Sequence, residues 1–311
     1  MSRPTRQTAA GAAYNDLRNL ARGQGRSTAE FFQLYLLERF LYRLAASPHR
    51  ERLVLKGGAL LAAYELRRQT RDIDVQAGDV ANTEDAVARL VVDIAETSLD
   101  EDDGIEFRVE DMSSSTIRAG DRHSGVRIRL PATLAKARLA FSVDVSFGDP
   151  VTPPPEKIMY PSLRGKPFSV VGYRLTTVVS EKVISMLELG DANTRERDFG
   201  DVYRIMALHT LDAGELAGAV AATAAFRETE VRPLSKALTD LPARRQASWE
   251  RWRDRAGMED ELPKELEGVV DAVSAFIDPI LSGSIVEGTW DPARREWGKR
   301  WAGLLPVRSL K

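Results

Sequence analysis

Cysteine is absent from the 311-residue chain, which removes disulfides, thiolate metal sites and cysteine nucleophiles and fits a reducing compartment. Histidine is nearly as scarce. His49, His123 and His209 stand singly, so a histidine-rich zinc site is not expected. No uncharged apolar run approaches the roughly 20 residues that a bilayer-spanning helix needs. Residues 1–24 are polar and arginine-bearing, without the apolar stretch of a secretory leader; a cytoplasmic protein with no membrane partner is expected. A strong charge of one sign is missing too. Lys and Arg number 44 against 46 Asp and Glu, a formal net charge of -2, so a nucleic-acid partner would need a local basic face.

What is present reads first as helix. Ser27 and Glu30 stand at capping-box spacing, and Phe31, Leu34, Leu37, Phe40, Leu41 and Leu44 recur at helical intervals until Ser47 and Pro48 stop the run. Residues 52–55 predict a short strand, Lys56-Gly57-Gly58 a turn, 59–66 a helix, 72–75 a second strand and 80–98 a helix rich in Ala and Val. The acidic run 100–103 reads as a solvated loop. Beyond it the period changes to two. Val126, Ile128 and Leu130 alternate with Arg127 and Arg129, and Phe141, Val143, Val145 and Phe147 alternate with Ser142, Asp144 and Ser146, predicting half-buried antiparallel strands. The proline-rich stretch 151–167 predicts an irregular connection. From Thr176 onward the pattern is helical. The expected division is 1–170, holding N-terminal helices and a strand-bearing core, and 171–311, a helical C-terminal part.

Residues two apart in a strand share a face, so Asp72 and Asp74 project together while Ile73 and Val75 face the core. Core packing does not favour two adjacent acids, whereas a divalent cation does. Asp144, opposite an apolar strand face, is a third carboxylate of the same kind, assigned to metal or to a general base. Three such groups can hold ions that activate a hydroxyl and neutralise a triphosphate; magnesium is expected, with manganese able to take its place. Gly57 and Gly58 at a helix start can admit phosphate to backbone N–H groups. Lys56, Arg67, Arg68 and Arg71 lie around this unit. Lys182 falls near the apolar side of a helix and therefore needs an anionic partner, either a triphosphate or Asp198 and Asp201. The runs 249–255 and 294–301 interleave Trp with Arg; their helical spacing predicts packing anchors with a solvated rim.

The segments Leu55-Lys56-Gly57-Gly58-Ala59-Leu60-Leu61 and Thr70-Arg71-Asp72-Ile73-Asp74 resemble the AbiEii-type nucleotidyltransferases, toxins of bacterial abortive-infection and toxin–antitoxin pairs. Residues 37–44, Ser180-Glu181-Lys182, Arg197-Asp198-Phe199-Gly200-Asp201 and the later Phe276-Ile277-Asp278-Pro279 and Trp290/Trp297 pair are similar too, so the resemblance spans almost the whole chain. It implies an α/β (α+β) fold with a polymerase-β-like core, a nucleoside triphosphate as substrate and a cognate antitoxin as partner. It also implies phosphate binding at Gly57 and Gly58, metal at Asp72 and Asp74, and completion of the nucleotide site by Lys182, Asp198 and Asp201. Two departures stand out. Gly58-Ala59 lacks the hydroxyl many relatives carry beside the glycine, which removes one phosphate contact, and Arg197 replaces a common Lys. The implied reaction transfers a nucleoside monophosphate to an acceptor hydroxyl. The expected acceptor is the 3′ end of tRNA, delivered along Arg127, Arg129, Lys136 and Arg138; the alternatives are a protein acceptor and a degenerate module that binds nucleotide and acts through a partner.

Overall fold

The computed structural model describes residues 4–117 and 124–298, and the chain divides into two compact units. The first comprises residues 1–149 and 154–174, the second 150–153 and 175–311.

The first unit opens with helices α1 (Ala9–Gly23) and α2 (Thr28–Ala46). The helical stripe read from the sequence is the buried face of α2: Phe31, Leu34, Leu37, Phe40, Leu41 and Leu44 are all at most 5% exposed. Ser27 is its N-cap but makes no side-chain cap hydrogen bond; Glu30 instead accepts from Arg26 Nε at 3.2 Å. Strand β1 (Leu53–Lys56) leads into α3 (Gly57–Leu60), which tightens into a 3-10 turn at Leu61–Tyr64. Then come β2 (Asp72–Ala77) and α4 (Glu84–Ala95), which Thr83 caps through its side chain.

Strands β3 (Ile105–Phe107), β4 (Ser113–Ile117), β5 (Gly125–Leu134), β6 (Ala137–Phe147), β7 (Glu156–Tyr160) and β8 (Phe168–Gly172) complete this unit. They form a mixed sheet of order β3-β5-β6-β2-β1-β8-β7, with β4 also on β5. β2 runs parallel to β6 and β1 parallel to β8; the other pairs are antiparallel. The fold is thus the expected α/β class, with two corrections inside it. The proline-rich stretch is not merely irregular: it carries β7, which pairs with β8 from Glu156↔Gly172 to Tyr160↔Phe168, because its prolines fall outside the paired residues. Nor is the acidic run wholly solvated. Asp103 is 5% exposed, accepts from Arg43 Nη1 at 2.6 Å and Nη2 at 3.2 Å, and caps the Ile105 N–H.

The second unit packs α5 (Leu175–Leu189), α6 (Glu196–Leu208), α7 (Ala213–Arg227), α8 (Leu234–Ala237), α9 (Leu241–Ala256) and α10 (Leu266–Leu281). The hairpin β9 (Thr289–Asp291) and β10 (Glu296–Gly298) follows. Asp278 on α10 fixes α8, accepting from Leu234 N at 2.5 Å and Ser235 Oγ at 2.6 Å. Among the described residues no helix is long and apolar enough to cross a membrane.

Candidate active site

Strand register assembles the acids. Lys56 on β1 stands opposite Asp74 on β2, Asp74 is level with Asp144 on β6, Asp144 is opposite Arg127 on β5, and Arg127 is opposite Ser115 on β4. Residues opposite one another on neighbouring strands share a face. Lys56, Asp74, Asp144, Arg127 and Ser115 therefore form one row across five strands, with Asp72 two residues along β2. The alternating neighbours Ile73, Val75, Val143 and Val145 are fully buried, and their burial turns the acids away from the core.

The turn between β1 and α3 is shaped by this row. Gly57 sits at φ +67°, and a β-carbon there would lie 2.1 Å from Asp74 Oδ2. Only glycine meets both demands. At Gly58 a β-carbon would lie 2.9 Å from Arg68 Nη2, so the second glycine leaves room for a buried guanidinium. The four residues of α3 carry little dipole; the phosphate reading of Gly57 and Gly58 rests on bare backbone with Arg68 beside it.

Both basic members of the row are engaged. Lys56 Nζ donates to Asp149 Oδ2 at 2.8 Å and lies 5.6 Å from the centre of the Tyr173 ring. Arg127 donates to both oxygens of Asp144, Nε to Oδ1 at 2.7 Å and Nη2 to Oδ2 at 2.6 Å. The guanidinium pKa is pushed up first by those hydrogen bonds and further by the charges of Asp144, Asp72 and Asp74, against the opposing effect of partial burial. Arg127 is thus not a free member of a basic track, as its spacing suggested. Its bidentate partner was not legible from the alternation, and Asp149 was missed as a site neighbour, whereas Arg68 does lie beside the glycine turn as expected. Arg71 is exposed.

Asp72 and Asp74, two hard oxygen donors on one face, fit a divalent cation such as magnesium. Asp144 fits by position, although both its oxygens accept from Arg127. Among the described residues no three acidic or histidine side chains already surround a common point where a metal ion would sit.

The second unit holds its own charged cluster. Lys182 on α5 donates to Asp198 Oδ1 at 2.5 Å and Asp201 Oδ2 at 2.8 Å, both on α6; Lys182 and Asp198 are under a tenth exposed and Asp201 is 1% exposed. The lysine expected near an apolar face does find anions, and they are carboxylates of the adjacent helix.

The described tryptophans serve packing. Trp249 is fully buried with its indole N–H on Pro263 O. Trp290 and Trp297 face each other across the β9–β10 hairpin against Phe276, and their N–H groups donate to Met206 O and Phe276 O. Their spacing is that of a hairpin, not of a helix. Lys299, Arg300 and Trp301 of the same run, and His123, lie outside the described residues.

A glycine turn between two strands of a mixed sheet, with acids in register on β2 and β6, belongs to a nucleotidyltransferase fold. The chain is similar in fold to a crystal structure of a candidate nucleotidyltransferase from Helicobacter pylori, at TM-score 0.52 and 15% identity over 83% of this chain and 99% of that one. It is equally similar to the crystal structure of JHP933 from Helicobacter pylori, with TM-score 0.52, 15% identity, and 83% and 95% of the two chains covered. The model of the nucleotidyl transferase AbiEii toxin family, of type IV toxin–antitoxin systems, matches residues 39–276. The chain belongs to that family. A sequence search of curated proteins gives no match.

Proposed function

We propose that the chain transfers a nucleoside monophosphate from a nucleoside triphosphate to the 3′ hydroxyl of tRNA, as the toxin partner of a cognate antitoxin in the cytoplasm. The observation that carries this reading is the register Asp74↔Asp144 beside Gly57, whose missing side chain leaves Asp74 its place. Asp72 and Asp74 hold the cation. Bound magnesium, or manganese in its place, neutralises phosphate charge and lowers the pKa of the attacking hydroxyl. The Gly57-Gly58 backbone, with Lys56, Arg68 and Arg71 around it, receives the phosphates, since no β-carbon blocks their approach. The acceptor oxygen bonds to the α-phosphorus, the bond to the bridging oxygen breaks, and pyrophosphate leaves with that electron pair. Asp144 is the third ligand of the cation or the base that takes the hydroxyl proton. Lys182, oriented by Asp198 and Asp201, is assigned to the nucleotide by the family pattern.

Support for RNA as acceptor comes from the family resemblance and from Arg129 and Arg138, which are exposed and share the Asp144 face by register. Such contacts position a backbone without reading sequence. The test is incubation of purified protein with magnesium, each labelled triphosphate in turn, and total RNA or protein extract. Label on tRNA supports the reading. Label on protein would make this a protein nucleotidyltransferase, and no labelled acceptor at all would leave a nucleotide-binding module.

A further inference from the structure

We propose that Arg127 is a positioning residue of the acidic centre. It is a resident counter-ion that occupies Asp144 while the centre is empty, and it leaves Asp144 for the triphosphate when a divalent cation arrives. This rests on the cation-centre reading of Asp72 and Asp74 above. The geometry is specific. Both Asp144 oxygens accept from one planar guanidinium, at 2.7 and 2.6 Å, the bidentate arrangement that arginine makes and lysine cannot. A carboxylate whose two oxygens both serve Arg127 offers a cation its third ligand only after that pair opens.

The exposures make opening feasible. The Asp144 side chain is 14% exposed and that of Arg127 46%, so the carboxylate is fixed on the sheet while the guanidinium remains in contact with water. Ion pairs with a solvated partner are weak and exchangeable. The charges of Asp72 and Asp74 act on the same guanidinium, so a cation bound there repels the group that those acids attract. A displaced guanidinium needs another bidentate acceptor, and a phosphate group, though tetrahedral, offers two oxygens along one edge as a carboxylate does. Arg129, two residues along β5 on the same face, stands opposite uncharged Ser142. It therefore supplies the control: equal charge, no pairing with an acid across the strand.

The competing pair reduces the fraction of protein able to accept a cation, which weakens apparent affinity by that fraction. Manganese binding followed by electron paramagnetic resonance, with nucleotide absent, reads this without any turnover. Arg127→Gln is expected to bind manganese about three- to fivefold tighter than wild type, and Arg129→Gln less than twofold. With manganese saturating, inorganic triphosphate should bind Arg127→Gln about tenfold more weakly. If Arg127→Gln proves unfolded by circular dichroism, Arg127→Lys, which frees one Asp144 oxygen, should still bind manganese more tightly than wild type. Equal manganese affinity in wild type and the Arg127 variants, or an equal gain in Arg129→Gln, would overturn this role of Arg127 alone. Absence of manganese binding from every one of these proteins would overturn the cation centre itself, and the role with it.

Discussion

Gly57 and Asp74 occupy the same space in turn: the position a Gly57 β-carbon would take lies 2.1 Å from Asp74 Oδ2. The carboxylate reaches into the hollow of the turn because Gly57, next to its strand partner Lys56, has no side chain. Gly57→Ala must therefore displace Asp74 and also hold alanine at φ +67°, which costs about 1–2 kcal/mol before any clash is counted. Transfer activity should fall by more than an order of magnitude, with a clear loss in Tm. Gly58→Ala first meets the guanidinium of Arg68, a side chain that can shift. Its effect on both measurements should be the smaller of the two, and the reverse order would contradict the geometry.

Asp72→Ala and Asp74→Ala are each expected to lower transfer at least ~100-fold, the usual consequence of losing a metal carboxylate or its support. The fold should survive, since neither acid is needed by the apolar face of β2. Chelation of divalent cations should abolish wild-type transfer, and added magnesium or manganese should restore it. Near-wild-type turnover in either variant would remove this pair from the centre.

Lys182→Ala leaves Asp198 and Asp201 as buried carboxylates without the ammonium between them. A loss of about 3–5 kcal/mol in chemical denaturation is expected. Replacing all three by apolar residues of similar volume should recover most of it, because burying a charged cluster is itself costly. If the single variant keeps wild-type stability and loses only nucleotide affinity, the carboxylates are not the lysine's main partners.

Alkaline pH should unfold the first unit through its tyrosines. Burial pushes Tyr35 and Tyr160 from 10.0 up to about 12, so the folded state keeps protons that the unfolded state has lost. Their contribution is fully present below pH 10 and is lost as pH rises from about 10 to about 12, of order 2 kcal/mol per tyrosine. Tyr35→Phe should flatten this decline. At neutral pH it should cost about 1 kcal/mol, since the Tyr35 hydroxyl donates to Asp103 O at 2.8 Å. Denaturant midpoints between pH 8 and 12 for both proteins check the sign.

The faces of the site strands were legible, and their partners were not. Alternation at Asp72-Ile73-Asp74-Val75 and Val143-Asp144-Val145 is a local pattern of period two, and it placed the acids opposite the core. Nothing local says that Asp144 would meet Arg127, whose own alternation allowed a track of exposed charge equally well. Lys182 shows the same division: the apolar neighbours Val183 and Ile184 demanded an anionic partner, and the packing of α5 on α6 supplies Asp198 and Asp201. Asp103 reads as one more acid in an exposed run until Arg43, 60 residues earlier, is brought to it.

By itself, then, the sequence determined what short-range physics encodes: the buried stripe of α2, the glycine turn between strand and helix, the shared face of Asp72 and Asp74, and motifs specific enough to fix the family. The tertiary structure decided which distant strands lie side by side, and so which charge meets which. The β2–β6 pairing joins Asp74 to Asp144 across some seventy positions of chain, as the register Asp74↔Asp144 requires. The β5–β6 pairing sets a guanidinium on Asp144. Such pairings arise from the fit of whole strands and the burial of their apolar faces, terms summed over many residues, which no local period of the sequence contains.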